Sequence, residues 1–517
     1  MDNPESKEAP SMAKSRSKKA FFNTVASFAN EFISVICGLI LPRLILGAFG
    51  SAYNGVTSSI TQFISCIALM RSGIGGVTRA ALYKPLSEKD DAAISSIVAA
   101  TERFLRKVAL IFAVIVVGFA AIYPIWIVRD FDWLFSFTLI LIIAASTFIQ
   151  YYFGLTYQLL LMADQKQGIT VIARAISIIS NTVLAAILIS FGAGIHVVKM
   201  GSTIAFAITP IVVSLYVRKH YRIDHSATPN MACISQRWDA LGHEIANFVN
   251  MNTDMMVLTV FAGVKEVSVY TVYNYVVASI RKVVTNCVVS FGDAFGDMYA
   301  KKQYELMHEN LGIFEVIVFS VASVVYSVTI AMIRPFALLY TKGINDVSYD
   351  RPLFGIIIAV SGLFVAFRIP YYMITMSVGH YKQTRNGAFI EAGLNIVLSI
   401  VLVIKFGLVG VAIGTVAAAI FRSCQYALYL GKNILPRSIL HFVSHATVSV
   451  LICVSIFLTA VIIPIKDTTI LGWILKALVL TVISIAMCII TDLIFWNKDT
   501  KNFGKKMRSM LRRRKHV

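Results

Sequence analysis

The sequence predicts an all-α, polytopic membrane protein with fourteen transmembrane helices, arranged as two related six-helix halves followed by two further helices. Three observations carry this. The 517 residues are 57% hydrophobic and only 14% charged. Stretches such as Trp133–Ala163 and Ser438–Ile465 hold no Asp, Glu, Lys or Arg, over lengths that exceed the roughly 20 apolar residues a helix needs to cross a bilayer core. Short sequence signatures of the first half recur, in order, in the second.

Taken along the chain, spans are expected at 21–48, 53–80, 108–128, 133–162, 168–191, 197–217, 238–262, 267–298, 311–339, 352–378, 384–406, 408–430, 438–465 and 469–496. The first ends at the turn Phe49-Gly50-Ser51 and is interrupted by Pro42-Arg43. Pro42 lacks a backbone donor and favours a kink. Arg43 lies seven residues before Gly50, roughly 10 Å inside the helix end at about 1.5 Å per residue. A guanidinium that keeps its charge must snorkel, pair or face a wet cavity. Arg43 therefore reads either as a lining group for an anionic substrate or as a snorkelling structural residue.

An even number of spans puts both termini on one side. Lys14, Arg16, Lys18 and Lys19 at the start and the Lys505–Lys515 cluster at the end place that side in the cytoplasm. The loops agree: Tyr83–Lys107, Arg218–Arg237, Lys301–Lys302 and Lys382–Arg385 are basic, whereas Gly192–Ile195 and Phe406–Gly410 are nearly uncharged. The formal charge of +20 thus needs no nucleic acid, and anionic lipid headgroups are its natural partners. Only Ala80–Lys107 and Arg218–Arg237 exceed about a dozen residues as loops, too few to bury a core. Residues 1–20 form a polar cytoplasmic tail without a cleavable signal's pattern. Residues 21–217 form the first half, 218–237 a cytoplasmic link, 238–431 the second half, 432–497 the last two spans, and 498–517 a basic tail. The tail reads as a solvated charge run, with an amphipathic surface helix as the alternative. The seven cysteines are scattered and lack metal-ligand spacing.

The internal repeat rests on four matches. Tyr53-Asn54 pairs with Tyr273-Asn274 and Tyr151-Tyr152 with Tyr371-Tyr372, both at an offset of 220. Gln165-Lys166-Gln167 pairs with Tyr381-Lys382-Gln383 at 216, and Phe191-Gly192 with Phe406-Gly407 at 215. An offset of six helices makes the halves parallel repeats. Asn54 and Asn274 read as helix N-caps, and Gly407, Gly410 and Gly414 as small-residue contacts between helices.

Several stretches carry a resemblance. They are LPRLILGAFG with Tyr53-Asn54-Gly55, Ala81-Leu82-Tyr83-Lys84-Pro85-Leu86, Gln150-Tyr151-Tyr152-Phe153-Gly154, Ala163-Asp164-Gln165-Lys166, Gly379-His380-Tyr381-Lys382-Gln383-Thr384, and the run from Lys405 to Thr415. Together they resemble bacterial Wzx-type polysaccharide flippases of the MOP superfamily, which also holds the MATE exporters and lipid II flippases. The resemblance runs from about Phe21 to Gly431. It implies two six-helix lobes around a cavity that opens alternately to each face of the bacterial cytoplasmic membrane. It implies as substrate an undecaprenyl-pyrophosphate-linked oligosaccharide, and as partners polysaccharide polymerase or assembly proteins. The two helices beyond the twelve would offer the lipid tail a groove. A monomer without cofactor is expected; an ion gradient of protons or sodium, the membrane potential and the downstream removal of product all remain open as the energy source.

Charges within the spans supply the candidate site. Arg281 and Lys282 fall mid-span, where each charge costs at least about 2.5 kcal/mol, and point about 100° apart on a helix. With Arg43 and with Arg368, two residues before Pro370, they form an expected cationic set suited to a pyrophosphate. Asp254 reads as their counter-ion or as a coupling carboxylate. Glu391 and Arg422 lie at similar depth and read as a structural ion pair. Arg174 reads as snorkelling, and Arg71 as a gate residue or interfacial anchor. A MATE-like exporter of cations is the alternative, disfavoured because the deep charges are mainly basic. A membrane glycosyltransferase or polymerase, with acidic residues on large outer loops, fits less well. The sequence shows no nucleophile–His pair, metal cluster or Gly-rich phosphate loop with its Lys, so no enzyme is expected.

Overall fold

The computed structural model describes residues 5–71, 74–126, 131–224, 226–234 and 252–514. Every regular element among them is helical. The chain forms two compact units, Met1–Val249 and Asn250–Val517. The expected seventh span falls partly on 235–251, outside the described residues.

In the first unit α1 (Glu5–Phe49) leads through the Gly50 turn to α2 (Ser51–Ile67), a short 3₁₀ segment (Ala68–Arg71) and α3 (Ile74–Glu88). There follow α4 (Asp91–Trp126), α5 (Trp133–Ile149), a π-helical turn (Gln150–Gly154), α6 (Leu155–Ala163), α7 (Gln167–Ser190) and α8 (Ile195–His220). Helix α1 continues through Pro42-Arg43, so the expected interruption there is absent. The expected loop Ala80–Lys107 shrinks to the turn at Lys89-Asp90, because α3 and α4 extend from either side. Asp132 opens α5 by accepting a 3.1 Å hydrogen bond from the Leu134 amide. Helices α7 and α8 pack closely; a Cβ added to Gly201 would stand 2.8 Å from Leu188. Arg174 is exposed on α7.

The second unit begins with helix 252–261 (α9), then α10 (Val264–Ala300), α11 (Tyr304–Tyr340), α12 (Pro352–Phe367), α13 (Ile369–Ser377) and α14 (Tyr381–Asn433). The last elements are α15 (Ile439–Ile462), α16 (Ile470–Phe495) and α17 (Asn497–Arg514). Helix α11 is the hub: α10, α12, α15, α16 and α17 all pack on it. Phe319 of α11 stacks on Phe367 at 4.5 Å, and Met332 joins Ile452, Ile456, Ala460, Leu480 and Cys488 in one apolar cluster. Ser438 and Thr469 cap α15 and α16 by accepting from the Leu440 and Gly472 amides, both at 3.2 Å.

Ten of the described helices are long and apolar enough to cross a membrane, and the chain is a multi-pass membrane protein. One of the ten, α14, bends at Gly407, whose φ of 53° and ψ of −131° are not helical, and so carries two expected spans. Gly407 is therefore a turn. Gly410 and Gly414 are the close contacts expected of them: a Cβ on Gly410 would overlap the Leu402 carbonyl, and one on Gly414 would stand 2.6 Å from Ser399 Oγ.

The repeat is written in the backbone. Residues with positive φ pair as Gly50 with Gly263, Lys89 with Lys302, Gln165 with Gly379, and Gly192 with Gly407. The offsets are 213, 213, 214 and 215. The remaining one, Gly343, would pair near residue 130, outside the described residues. This register keeps the Phe191-Gly192 match but displaces the others. At 213, Tyr53 falls opposite Glu266; at 214, Tyr151 falls opposite Val365. Tyr and Asn recur often enough in such helices to mimic a repeat, whereas a left-handed backbone turn does not. Nor are Asn54 and Asn274 caps. Asn54 is buried inside α2 and Asn274 lies well within α10, each helix being capped by a positive-φ glycine. The basic tail is helical as well: α17 docks on α11, with Lys506 donating to Asn310 Oδ1 at 2.6 Å.

Candidate transport site

The second unit builds an oxygen-rich cluster around Asp254, which is 7% exposed on α9. Its Oδ2 accepts from Thr415 Oγ1 at 2.7 Å and from the Tyr270 hydroxyl at 3.1 Å. Its Oδ1 accepts from Asn395 Nδ2 at 3.2 Å. Asn395 Oδ1 in turn accepts from Ser399 Oγ at 3.1 Å, and the Val411 carbonyl lies 3.1 Å from Thr415 Oγ1. The bend at Gly407 brings this about by folding Asn395 and Ser399 of one arm of α14 against Val411 and Thr415 of the other. One carboxylate with amide, hydroxyl and carbonyl oxygens suits a proton or a hard monovalent cation; a divalent ion would want more charge. Asp254 was expected as a counter-ion or a coupling carboxylate; its hydrogen-bond partners are uncharged and carried no sequence signal.

Arg281 and Lys282 sit at the middle of α10, the first half-buried and the second exposed. Arg281 is near enough to Asp254, Tyr270 and Tyr326 for its charge to act on all three. In the first unit Arg43 is half-buried, its guanidinium running along α1 to within 3.6 Å of where a Gly47 Cβ would stand. Arg71 closes the 3₁₀ segment and is exposed; its guanidinium lies over the Tyr151 ring at 5.1 Å, while the Tyr151 hydroxyl donates to the Ala68 carbonyl at 2.8 Å.

Glu391 and Arg422 form the ion pair the sequence suggested, Nε to Oε2 at 3.3 Å. Arg368, which the sequence set apart with the other cations, joins them: its Nη1 donates to Glu391 Oε1 at 2.7 Å. Arg422 is held further by the Thr384 carbonyl at 3.1 Å, by the Gln425 side chain and by the Tyr426 hydroxyl at 2.6 Å. A second buried cluster escaped sequence reasoning. Glu315 on α11, fully buried, accepts from Arg437 and, at 2.7 Å, from the Tyr371 hydroxyl. A lone Glu among the apolar residues Phe314 and Val316–Phe319 was its only mark in the sequence.

No family model and no curated protein sequence matches the chain. Solved structures do. A lipid II flippase, MurJ, in an inward closed conformation superposes with a TM-score of 0.66 at 17% identity, covering 92% of this chain and all of that one. An inward-facing multidrug resistance MATE transporter of the MOP superfamily gives 0.66 at 13%, covering 83% and 98%. A MOP superfamily transporter from Pyrococcus furiosus gives 0.57 at 14%, covering 80% and 95%. The chain has the fold of MOP superfamily transporters.

Proposed function

We propose that this protein is a flippase for a lipid-linked, pyrophosphate-bearing oligosaccharide of the undecaprenyl class, moved from the cytoplasmic to the outer leaflet with both termini in the cytoplasm. The observation that carries the reading is the pair Arg281–Lys282 at the middle of a 37-residue helix. This helix is not among the ten described helices that length and composition alone mark as able to cross a membrane, and two adjacent cations at its centre are accounted for if it borders a polar cavity and they serve an anion. Arg43 in the first unit adds a third deep cation, and Arg71 a fourth nearer a helix end. The likeness to a lipid II flippase supports the same class, because it covers more of this chain than the MATE structures do. Helices α15 and α16, which α11 anchors through its apolar cluster, expose Leu451, Val454, Leu458, Leu478, Val482 and Ile489, an apolar surface suited to a lipid tail.

The Asp254 cluster supplies the coupling site in this reading. Its bonds to both arms of α14 tie the protonation or cation occupancy of one carboxylate to the packing of the bend. The glycosyltransferase alternative finds no support in the described residues.

The test is translocation by purified protein in liposomes carrying a fluorescent undecaprenyl-pyrophosphate disaccharide. Wild type should move label from one leaflet to the other, and Arg281→Ala with Lys282→Ala should cut the rate at least tenfold, the equivalent of about 1.4 kcal/mol, without lowering the folded yield. Equal rates per folded molecule would refute the cationic reading.

A further inference from the structure

We propose that Arg368, Glu391 and Arg422 form a second anion-binding site, in which Arg368 exchanges between Glu391 and a phosphate group. The argument begins with charge. Two guanidiniums share one carboxylate, so among the described residues the cluster carries one net positive charge. The side chains of Arg422 and Glu391 are 5% and 10% exposed, and that of Arg368 is 20% exposed. A buried ion is stable when paired and hydrogen-bonded, and an excess charge is a standing cost. One more negative group would remove it.

The two arginines are held very differently. Arg422 is fixed by Glu391, Thr384, Gln425 and Tyr426 together, and Gly387 makes room for it: a Cβ there would overlap Arg422 Nη1. Arg368 stands where α12 runs on into α13: its amide donates to the Phe364 carbonyl at 3.3 Å and its carbonyl accepts from the Tyr372 amide at 2.9 Å, so the helix backbone is continuous there. Its side chain is the looser of the two, one-fifth exposed and bonded to the shared carboxylate alone, whereas Arg422 has four partners.

The internal repeat shows that the fold does not require these charges. In the backbone register the counterpart of Arg368 is Gly154, at an offset of 214 and at the end of the π-helical turn. The counterpart of Glu391 is Ser177, also at 214, and Arg422 falls within two residues of the position matching Thr209. In the first unit Ser177 and Thr209 hydrogen-bond to each other at 2.7 Å, and a Cβ on Gly154 would stand 2.5 Å from the Cβ of Pro210. The same framework is thus closed once with small neutral residues and once with three ions. Packing is served by the first solution. The second adds a polar function at the same place in the repeat.

The ligand chemistry is a phosphate or pyrophosphate group, which a guanidinium fork binds in bidentate fashion. Its source is either a prenyl pyrophosphate or an anionic phospholipid headgroup. The inference concerns binding alone, so it stands whether or not the chain translocates a lipid.

The experiment is calorimetric titration of the full chain in phosphatidylcholine nanodiscs with farnesyl pyrophosphate, with thermal unfolding measured on each variant. Arg368→Ala should weaken binding tenfold or more. Glu391→Gln should tighten it severalfold, because Arg368 loses its competing carboxylate, whereas a purely structural ion cluster gives no tightening. Absence of saturable binding by wild type, Arg368→Ala binding like wild type, or folded Glu391→Gln binding no tighter would each overturn the proposal. Should Glu391→Gln fail to fold, Arg368→Gln decides: it keeps a donor toward Glu391 without the charge, and must lose binding. Repeating the titration in phosphatidylglycerol nanodiscs assigns the source. Weaker apparent binding of farnesyl pyrophosphate to wild type there identifies the headgroup as a competing ligand; undiminished binding identifies the prenyl pyrophosphate.

Discussion

At the scale of single residues, the informative contrast is between charges that the structure ties down and charges it leaves beside polar partners. Asp254 is the clearest case. Three donors converge on its carboxylate from Tyr270, Asn395 and Thr415, and none of them is a cation. In the proposed mechanism it binds a coupling ion, so Asp254→Asn should leave the folded amount nearly unchanged while abolishing the dependence of flipping on an imposed proton or sodium gradient. Thr415→Ala, which removes one oxygen, should weaken ion dependence without abolishing it. If Asp254→Asn responds to the gradients as wild type does, the coupling site lies elsewhere. The counterpart of Asn395 in the first unit is Asn181, whose Oδ1 is buried with no hydrogen bond assigned, and the residue opposite Asp254 is Leu41. The repeat therefore builds this cluster in one half only. Asp254 and the Glu391–Arg422 pair were legible because charge in an apolar run is conspicuous. Asn395, Ser399 and Thr415 were not, since a neutral residue reveals nothing until the bend of α14 gathers it.

At the scale of elements, the glycines of α14 separate three roles that look alike in sequence. Gly407 makes the turn, Gly410 and Gly414 let its two arms touch, and Gly393 has nothing within 4 Å of an added Cβ. Gly414→Ala should destabilise by about 1–3 kcal/mol through overpacking against Ser399. Gly407→Ala should cost about 1–3 kcal/mol, because φ of 53° with ψ of −131° is a backbone conformation that glycine adopts and alanine does not without strain, and Gly393→Ala should be neutral or slightly stabilising. Thermal unfolding in detergent orders the three, and a Gly393→Ala loss as large as that of Gly414→Ala would contradict the close-contact account. Similar logic explains what the sequence concealed about α3, α4 and α17. Their polar, basic character read as loop or tail, yet helices that leave a bilayer have no reason to stop at its surface. The amphipathic α17 is secured by Thr500 Oγ1 donating to the Asp492 carbonyl at 3.1 Å and by Lys506 on α11; hydropathy alone was blind to it.

At the scale of the whole molecule, the two units are copies of one plan with different chemistry. The shared plan shows in four pairs of positive-φ turns at offsets of 213 to 215, a regularity that side-chain matching found only at Phe191-Gly192 and Phe406-Gly407. Hydropathy was enough to find ten described helices able to cross a membrane, because burial in lipid acts on every residue of a helix, but not the more polar helices α2, α3 and α10, where further spans were expected. It could not set the repeat register, which depends on a few turn residues. If each unit folds around its own core, the contacts of Asp224 and Thr228 with α4, in which the Asp224 amide donates to Ser95 Oγ at 3.0 Å and Ser96 Oγ to the Thr228 carbonyl at 2.7 Å, are not needed for either unit to form. The first unit closes its own cluster of Leu82, Ile97, Val98, Leu160, Leu161, Val213 and Val217, and the second closes another around Met332, Ile456 and Leu480. Cutting the chain between Asp224 and Met231 should therefore yield two fragments that each insert and remain protected from proteolysis. Co-expressed, they should restore flipping to within a few-fold of the intact chain. Each fragment alone should be inactive, since the first lacks Asp254, Arg281 and Lys282 and the second lacks Arg43 and Arg71. Insertion of both fragments with no recovery of transport would show that the link does more than connect. Activity from the second fragment by itself would remove the first unit from the mechanism and, with it, the role assigned to Arg43.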